Sequence, residues 1–577
     1  MNQCRFNFIF LLLLFVNPYI KAQIRNSPET DSLFSMRGEI YFRFSVNSPN
    51  DIKSFTRIVS IDKVKDNDIY AYANKKGFIE FLKYHFPFTV LRPPGMLLPA
   101  SEINLYHQKL ESKGRKLWNF YPTYDQYVNF MYDFANDFPG ICKLDTIGIS
   151  VMGRLLLAVK ISSNVQQKES EPRVFYTAAI HGDETTGYVL MLHLIDYLLQ
   201  NYGSDQNITE LINTTEIFIN PLANPDGTYF GGNNSVYGAI RFNANFIDIN
   251  RNFPDPKLGL HPDNENWQCE TQAFMTYAQN NKFVMSANFH GGSEVFNYPW
   301  DTWERLTSDD LWWQLVGREW ADTVHKYGPP GYFTDENNGI TNGHAWYEIN
   351  GGRQDYMNFW QHCREVTVEI SNAKLPPANQ LDSFWAFNYH SFLNYIEQSH
   401  FGFNGLITDS ATSLPISAKV FINRHDSDSS EVFSILPSGF FARPVFEGLY
   451  DVTFSASGYS PETMNNIAVT NGQTLFINVK LRPYTHGQKE EEIHAVRFYP
   501  NPGTGVLEMR VPAGLKGDCM ISIINNQGKE IFSENVNLDL DNMIHSLNLK
   551  GIPDGLYYLK MKSGGFSLVA KIIISHD

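Results

Sequence analysis

The sequence predicts an α/β domain with a mixed, mostly parallel sheet flanked by helices, a small N-terminal α+β unit and two C-terminal β-sandwich domains. Short apolar runs alternate with helical segments through the middle of the chain, and helical periodicity is lost after about residue 400. The length of 577 residues exceeds what one hydrophobic core supports, so several domains are expected.

The overall composition is that of a globular protein. Hydrophobic residues make up 43% of the chain and charged residues 19%, which argues against long disordered regions. The net charge of −15 argues against non-specific binding of nucleic acid, so no nucleic-acid partner is expected.

Residues 1–22 are typical of a secretory signal peptide. Arg5 precedes the apolar run FIFLLLLFV, Asn17 and Pro18 end it, and residues 21–23 offer a cleavage region. The run is too short for a stable membrane-spanning helix, although a membrane anchor is the alternative, and no later stretch is long and apolar enough to span a bilayer. We therefore expect no transmembrane helix after signal removal.

Cysteine usage argues against a thiolate metal site. The chain contains no Cys-x-x-Cys pair and no dense disulfide framework. Signal removal leaves four cysteines, which are Cys142, Cys269, Cys363 and Cys519.

Residues 23–115 are predicted to form an N-terminal α+β region. Between Glu39 and Leu91, the β-like runs EIYFRFSV and DIYAYA alternate with the helical segment GFIEFLKYHF. Pro93, Pro94 and Gly95 end this pattern.

Residues 116–400 carry the α/β pattern. The segment YPTYDQYVNFMYDFANDFPG has helical spacing, and Tyr188–Leu199 and Leu311–Tyr327 are further predicted helices. The runs LLLAVKIS, RVFYTAAI, TEIFINP, FVMSANFH and EVTVEIS are predicted buried strands. Functional groups of such sheets collect at the carboxyl ends of strands.

The remaining chain is rich in β-strand signals. Residues 401–483 predict a small sandwich with several turns, and residues 484–495 are polar, without periodicity, and typical of a linker. Residues 496–577 predict a second β-rich domain.

Three predicted strands lead into chemically capable side chains, at His181, His290 and Glu369. Zinc in a hydrolytic site prefers neutral imidazole nitrogens and a carboxylate, with one position left open. The spacing His181-x-x-Glu184 lets the histidine follow a strand while the glutamate starts the next helix, and His290 would complete the set. For the His-x-x-Glu motif alone, a histidine satisfied by the backbone of a turn is the better interpretation.

The segment DINRNFPD strengthens the metal hypothesis. Arg251 has a guanidinium suited to a carboxylate, Asn250 adds amide donors, and Asp248 could hold a ligand histidine by its second ring nitrogen. A solvated loop with an ion pair is the alternative. Glu369 stands in an apolar strand, where a carboxylate is costly unless it is paired or functional, so it is a candidate general base or a salt-bridge partner.

Taken in order, these segments resemble the zinc metallocarboxypeptidases, most of all the regulatory branch that includes carboxypeptidases D, E, M and N. The resemblance extends from about Tyr121 to His400. It rests on HGDE, NPDG, RFNAN, DINRNFPD, NFHGGS, NYPWD, GITNGHAWY, GGRQD and VTVEIS. It implies a carboxypeptidase-like catalytic domain in residues 116–400 that binds one Zn²⁺.

The resemblance assigns roles around the metal. It implies that His181, Glu184 and His290 bind zinc, that Asp248 supports a ligand histidine, and that Glu369 activates the water held by the metal. The His₂Glu ligand set of carboxypeptidase A is a known zinc arrangement.

The resemblance also assigns the substrate contacts. It implies that Asn250, Arg251 and Tyr347 hold the free carboxylate at the substrate C-terminus, and that Arg241 stabilises the developing oxyanion.

Two further positions bear on specificity. Asp301 stands where basic-specific members carry an acid that meets a C-terminal Lys or Arg side chain, and Gln354 falls at the base of that pocket. Trp300 and Thr302 around it differ from the usual pattern, so a solvated loop aspartate is the alternative.

The flanking regions have resemblances of their own. Residues 401–483 resemble the transthyretin-like domain of the same branch, and residues 39–91 resemble the pro-domain of digestive carboxypeptidases, with an unrelated accessory domain as the alternative. Residues 496–577 resemble the C-terminal sorting domain of the type IX secretion pathway, through FYPNPGTG and GLYYLKM, with an Ig-like adhesion module as the alternative.

The sequence therefore predicts a secreted zinc metallocarboxypeptidase that hydrolyses the C-terminal bond of peptides or proteins, with C-terminal Lys or Arg as the expected preference. The expected location is the medium or the outer-membrane surface of a Bacteroidetes-like bacterium, reached through the periplasm and the type IX secretion machinery. The alternatives are an amidase or deacylase on the same fold and a non-catalytic peptide-binding surface protein.

Overall fold

The computed structural model describes residues 28–99, 102–103, 118–484, 496–501, 503, 505–511, 517–525, 529–538, 544–563 and 566–575. The predicted signal peptide and nearly all of the predicted linker lie outside these residues. The chain forms two compact units, one of Met1–Ala456 with Pro461–Arg482 and one of Ser457–Ser460 with Pro483–Asp577.

The N-terminal domain, defined as residues 28–99, is a four-stranded antiparallel sheet in the order β2-β3-β1-β4 with two helices. Its core is rich in phenylalanine, and Asn74 caps α2 by accepting a hydrogen bond from the Gly77 amide. The elements are α1 (Pro28–Arg37), β1 (Glu39–Ser45), β2 (Ser60–Lys65), β3 (Asp68–Asn74), α2 (Lys75–Leu82) and β4 (Phe88–Val90).

The central domain contains an eight-stranded mixed sheet in the order β11-β10-β12-β9-β7-β8-β6-β5. Four neighbouring pairs are parallel and three are antiparallel, which confirms the predicted mixed, mostly parallel sheet. The strands are β5 (Cys142–Ile149), β6 (Leu155–Ile161), β7 (Arg173–Ala178), β8 (Glu216–Asn220), β9 (Met285–His290), β10 (Glu294–Tyr298), β11 (Ile340–Asn342) and β12 (Arg364–Ile370).

Helices cover both faces of this sheet. Val174 and Tyr176 of β7 join one hydrophobic core, whereas Phe175 between them joins another, because successive strand side chains point to opposite faces. The helices are α3 (Tyr124–Asp137), α4 (Thr186–Asn201), α5 (Gln206–Thr214), α6 (Pro225–Thr228), α7 (Cys269–Asn281), α8 (Asp310–Tyr327), α9 (Asp335–Gly339), α10 (Gly343–Trp346), α11 (Arg353–Gln361) and α12 (Leu381–Glu397).

The register of three parallel strands positions the candidate site. Ala178 of β7 lies opposite Phe289 of β9, and His290 lies opposite Glu369 of β12. The three strands therefore end at one edge of the sheet, as expected for parallel neighbours.

Two packed sheets follow the central domain. One contains β16-β13-β21, with β20 also paired to β13, and the other has the order β15-β14-β17-β19. Phe440 and Ala442 of β16 belong to the hydrophobic core of the central domain. The strands are β13 (Gly402–Asp409), β14 (Lys419–Ile422), β15 (Val432–Phe433), β16 (Phe440–Arg443), β17 (Gly448–Ser455), β18 (Tyr459–Ser460), β19 (Glu462–Val469), β20 (Thr474–Phe476) and β21 (Val479–Pro483).

A buried ion cluster joins this sandwich to the central domain, which yields a stability prediction. Arg443 is fully buried and lies 2.9 Å from Asp309 and 2.6 Å from Asp426. Because Arg443→Met leaves buried carboxylates short of a cation, we expect a loss of about 3–5 kcal/mol in the free energy of unfolding. The control Arg424→Met removes an exposed pair with Asp451 and should cost under about 1 kcal/mol. Equal denaturant midpoints for the two variants would contradict the prediction.

The C-terminal unit consists of two antiparallel sheets, β22-β23-β26 and β25-β24-β27-β28. Their facing apolar residues form a separate core that includes Met509, Ile521 and Leu559. The strands are β22 (Arg497–Tyr499), β23 (Val506–Arg510), β24 (Asp518–Ile524), β25 (Glu530–Asn537), β26 (Ile544–Asn548), β27 (Gly555–Ser563) and β28 (Phe566–Ile574).

None of the helices in the described ranges has both the length and the apolar character that crossing a bilayer requires.

Candidate metal centre and substrate site

Three buried side chains converge at the carboxyl edge of the central sheet. His181 lies in the turn after β7, Glu184 precedes α4, and His290 ends β9. Strand β7 ends at Ala178, because Ala179 adopts a left-handed φ of 55°. Helix α4 begins at Thr186, so Glu184 lies two residues before the helix instead of starting it. The turn places both motif residues ahead of the helix.

The ligand atoms of these residues face one common point. The Nδ1 atoms of His181 and His290 are 3.1 Å apart, and the Glu184 carboxylate lies 3.0 Å from the first and 2.8 Å from the second. One such atom from each residue lies within 4.8 Å of the others, and the side chains are 2–3% exposed. Two imidazoles and one carboxylate form a donor set that fits zinc.

Neighbouring polar groups orient both histidines. His181 Nε2 contacts Asp248 Oδ1 at 3.1 Å, and His290 Nε2 contacts the side-chain amide of Asn288 at 2.9 Å. Burial lowers the pKa of His290 to about 4, so its ring is neutral at pH 7, as a metal ligand must be. Asn288 was not predicted, although its position two residues before His290 places it on the same face of the strand.

Arg241 lies beside the metal-binding residues. Its Nη1 donates to Glu184 Oε1 at 3.2 Å, and its Nε donates to Asp248 Oδ2 at 3.1 Å. The guanidinium is therefore held against the carboxylates of Glu184 and Asp248.

Asn250 and Arg251 belong to a short 3₁₀ helix, Ile249–Arg251, which Asp248 caps by accepting from the Asn250 amide. Arg251 Nη1 donates to the Asn250 carbonyl at 2.8 Å. Burial raises the pKa of Tyr347, and the positive charge of Arg251 opposes that rise.

Glu369 adjoins the metal-binding residues through its position opposite His290. Within the described part of the chain, no hydrogen-bond donor reaches Glu369 Oε2, although the atom is buried. Burial and then the charge of Glu184 raise the pKa of Glu369 well above its usual value. A bound cation would lower that pKa again, because a nearby positive charge favours the carboxylate.

Asp301 and Gln354 contact each other, and both side chains are buried. Gln354 Nε2 donates to Asp301 Oδ1 at 3.0 Å, and Asn297 donates to the same oxygen at 3.2 Å. The backbone of Gly343 approaches Asp301 closely, because a Cβ atom at residue 343 would lie 1.8 Å from Asp301 Oδ1. Glycine therefore fits this position without a steric clash. Burial raises the pKa of Asp301 to about 7.

The site also contains a positively charged side chain, Lys374, that was not predicted from the sequence. Lys374 is buried, and its Nζ lies 2.6 Å from Glu184 Oε1. The only available signal was its place a few residues after the VTVEIS strand. Ser60 and Asp62 of β2 also reach this cluster, with Ser60 accepting from Arg241 Nε at 2.7 Å and Asp62 Oδ1 lying 2.5 Å from Lys374 Nζ.

Two regions of the chain are similar to known protein families. Residues 127–391 match the family described as zinc carboxypeptidase, and residues 497–575 match the secretion system C-terminal sorting domain. A solved carboxypeptidase A from Helicoverpa armigera has a TM-score of 0.49 and 18% identity, with coverage of 63% of this chain and 98% of that one.

Two curated relatives extend the match. Carboxypeptidase D from Mus musculus is 34% identical over 377 residues, which are 61% of this chain, and the match spans 26% of that relative's length. The carboxypeptidase N catalytic chain from Homo sapiens is 32% identical over 424 residues, covering 66% of this chain and 89% of the relative. With nearly the whole of that relative covered, the chain belongs to the zinc carboxypeptidase family.

Proposed function

We propose that this protein is an exported zinc carboxypeptidase that removes single residues from the C-termini of peptides or proteins. The observation that carries the proposal is the convergence of the two Nδ1 atoms and the Glu184 carboxylate beside Glu369, whose Oε2 atom has no donor within the described residues. A peptidase of this type needs a polarising cation and a proton acceptor at one point.

His181, Glu184 and His290 would hold the ion. When bound by these residues, zinc would supply the positive charge that polarises a scissile carbonyl and lowers the pKa of a water molecule. Glu369 accepts the proton of the attacking water and passes it to the amine of the leaving residue. Asp248 and Asn288 hold the two imidazole rings in the orientation that this arrangement requires.

Two arginines would each bind a different negatively charged group of the substrate or transition state. Arg251, with Asn250 and Tyr347, binds the terminal carboxylate of the substrate and restricts cleavage to the last peptide bond. Arg241 donates to the oxyanion that develops on the scissile carbonyl, and removal of one such donor typically costs about 10²–10³ in rate.

The test uses the full chain and matched peptide pairs that differ only in a free or an amidated C-terminus. We expect release of one residue from the free form, loss of that release with a chelator, and recovery with added zinc. Equal hydrolysis of the amidated form would exclude a carboxypeptidase, and release of acyl groups from N-acyl amino acids alone would favour an amidase or deacylase.

We further propose that Asp301, with Gln354 beneath it, recognises a C-terminal Lys or Arg side chain. Because burial raises the pKa of Asp301 to about 7, the carboxyl is neutral below that pH and charged above it. The ratio of kcat/KM for a peptide ending in Arg to that for one ending in Phe should therefore rise as pH increases from 6 to 8. We expect a rise of about tenfold, equivalent to about 1.4 kcal/mol.

The control for this prediction is Asp301→Asn. The variant should hydrolyse the Phe peptide as the parent does, while its Arg-to-Phe ratio stays low and independent of pH. A parent ratio that is constant across this range would rule out Asp301 as the charge that sets specificity.

The C-terminal sorting domain supports export to the cell surface or medium through the type IX machinery. We propose that route, with passage through the periplasm and recognition of residues 496–577. In a bacterium that has this pathway, removal of residues 496–577 should keep the protein in the periplasmic fraction. Unchanged surface activity of the truncated protein would contradict the proposal.

A further inference from the structure

A fully buried arginine, Arg353, begins helix α11 directly before Gln354. Its Nη2 donates to Glu365 Oε2 of β12 at 2.8 Å, and its Nε donates to the same oxygen at 3.2 Å. The guanidinium also lies 5.3 Å from the ring centroid of Phe175 and 5.5 Å from that of Phe274. Because a guanidinium is planar and rigid, these contacts also fix the direction of its remaining donors.

The third nitrogen of this guanidinium is directed towards the metal-binding residues. Arg353 Nη1 donates to the hydroxyl oxygen of Thr177 in β7. The Thr177 hydroxyl donates to Asn288 Oδ1 of β9 at 3.1 Å, and Asn288 Nδ2 contacts His290 Nε2 at 2.9 Å. None of these four residues is more than 3% exposed, so bulk water cannot replace the contacts. A continuous chain of buried hydrogen bonds therefore joins Arg353 to a metal-binding imidazole.

The same contacts can hold either tautomer of His290. The oxygen and nitrogen of a side-chain amide have nearly the same shape, so Asn288 can accept from Nε2 as well as donate to it. In the accepting orientation the Thr177 oxygen accepts from both the Asn288 amide and Arg353, because a hydroxyl oxygen has two lone pairs. The same partners therefore set the position of the ring, whichever nitrogen carries its hydrogen.

The main chain of Arg353 holds a second part of the site. Its amide donates to Asn250 Oδ1 at 2.9 Å, which leaves the Asn250 amide nitrogen as the end that can donate to a substrate carboxylate. Gly351, two residues earlier, adopts a left-handed φ of 71°, and its amide donates to Asp255 Oδ2 at 2.9 Å. The turn that carries Arg353 is therefore itself fixed, and Arg353 contacts a residue that we place in the carboxylate-binding group.

We propose that Arg353 is a positioning residue that ties the metal ligand His290 and the carboxylate-binding Asn250 to one rigid support on β12. The inference rests on the roles of His290 and Asn250 in the proposed peptidase function. The side chain of Arg353 acts through Thr177 and Asn288, whereas its main-chain amide acts directly on Asn250. An exopeptidase must hold the scissile bond at a fixed distance from the terminal carboxylate, so a shared support keeps the substrate aligned with the metal.

The first test is Thr177→Val in the full chain. Valine keeps the shape of threonine but removes the hydroxyl between Arg353 and Asn288. Zinc affinity should therefore fall about three- to tenfold, less than the loss of about 10–100-fold expected for Asn288→Ala. The matched control is Ser286→Ala, which removes a buried hydroxyl of β9 that donates to Glu365 outside this path. Both variants lose one buried hydroxyl, so a general loss of stability would affect them alike, but only Thr177→Val should bind zinc more weakly.

A double-mutant cycle determines whether Thr177 acts through Asn288. If it does, Thr177→Val should change zinc affinity by less than about twofold when Asn288→Ala is already present. Equal losses in the two backgrounds, or equal zinc affinities of Thr177→Val and Ser286→Ala, would overturn the inference. Zinc affinity is measured by competition with a chelator and requires no substrate.

The second test changes Arg353 itself. Arg353→Met alone would leave the buried Glu365 carboxylate without its cation, so the variant also carries Glu365→Gln. At saturating zinc, KM for a peptide with a free C-terminus should rise about threefold while kcat stays within about twofold, because Asn250 loses part of its support. A KM equal to that of the parent would contradict the role of Arg353 at Asn250. If no form hydrolyses any peptide, the proposed peptidase function fails, and the zinc affinities alone decide whether Arg353 supports His290.

Discussion

Glu369→Gln is expected to lower kcat by about 10²–10⁴-fold, the usual contribution of a positioned general base. Glutamine keeps the shape of the side chain but cannot accept the proton of the attacking water. The zinc content should stay at one ion per chain, because Glu369 is not among the three residues whose donor atoms converge. KM should change little, since the residue acts on the reacting atoms and not on the terminal carboxylate.

The matched control is Glu304→Gln, an exposed position of the same domain, which should leave kcat and KM unchanged. Measurements of kcat, KM and bound zinc on both variants separate loss of chemistry from loss of metal. Activity within about tenfold of the parent in Glu369→Gln would require a different proton acceptor.

His290→Ala is expected to abolish stable zinc binding and, with it, hydrolysis. Removal of its Nδ1 leaves one imidazole and one carboxylate, which is too few protein ligands for a catalytic zinc site. The measurement is the zinc content after dialysis against a weak chelator, with metal affinity from competition.

Asn288→Ala provides a graded comparison in the same strand. It keeps the ligand and removes only the group that holds His290 Nε2, so we expect about a 10–100-fold weaker zinc affinity. If His290→Ala retained more zinc than Asn288→Ala, the assignment of His290 as a ligand would be wrong.

The central sheet was the part of the fold best predicted from sequence. Strands β7, β8, β9 and β12 are buried on both faces, so their sequences are nearly continuous apolar runs. Because parallel strands end at one edge, three separate runs could be related to one site at His181, His290 and Glu369. The turn after β7 was less predictable, since a left-handed Ala179 leaves no pattern in the sequence.

The contribution of the N-terminal domain could not be predicted. Strand β2, with the sequence SIDKVK, lacks an apolar run, because its polar side chains are directed at charges of another domain. Contacts such as Ser60 with Arg241 join positions far apart in the chain, and Ser60 belongs to no local motif. Lys374 was missed for the same reason, since its partners Glu184 and Asp62 come from distant segments.

The position of β16 limits how this protein can be shortened. Because Phe440 and Ala442 complete the apolar interior of the preceding domain, a stop codon after residue 400 would expose that interior to water. It would also remove the Ser430 carbonyl that accepts from Arg364. Aggregation of such a fragment would therefore result from the loss of apolar residues that cover one side of the core. Expression vectors for the peptidase should extend through β21.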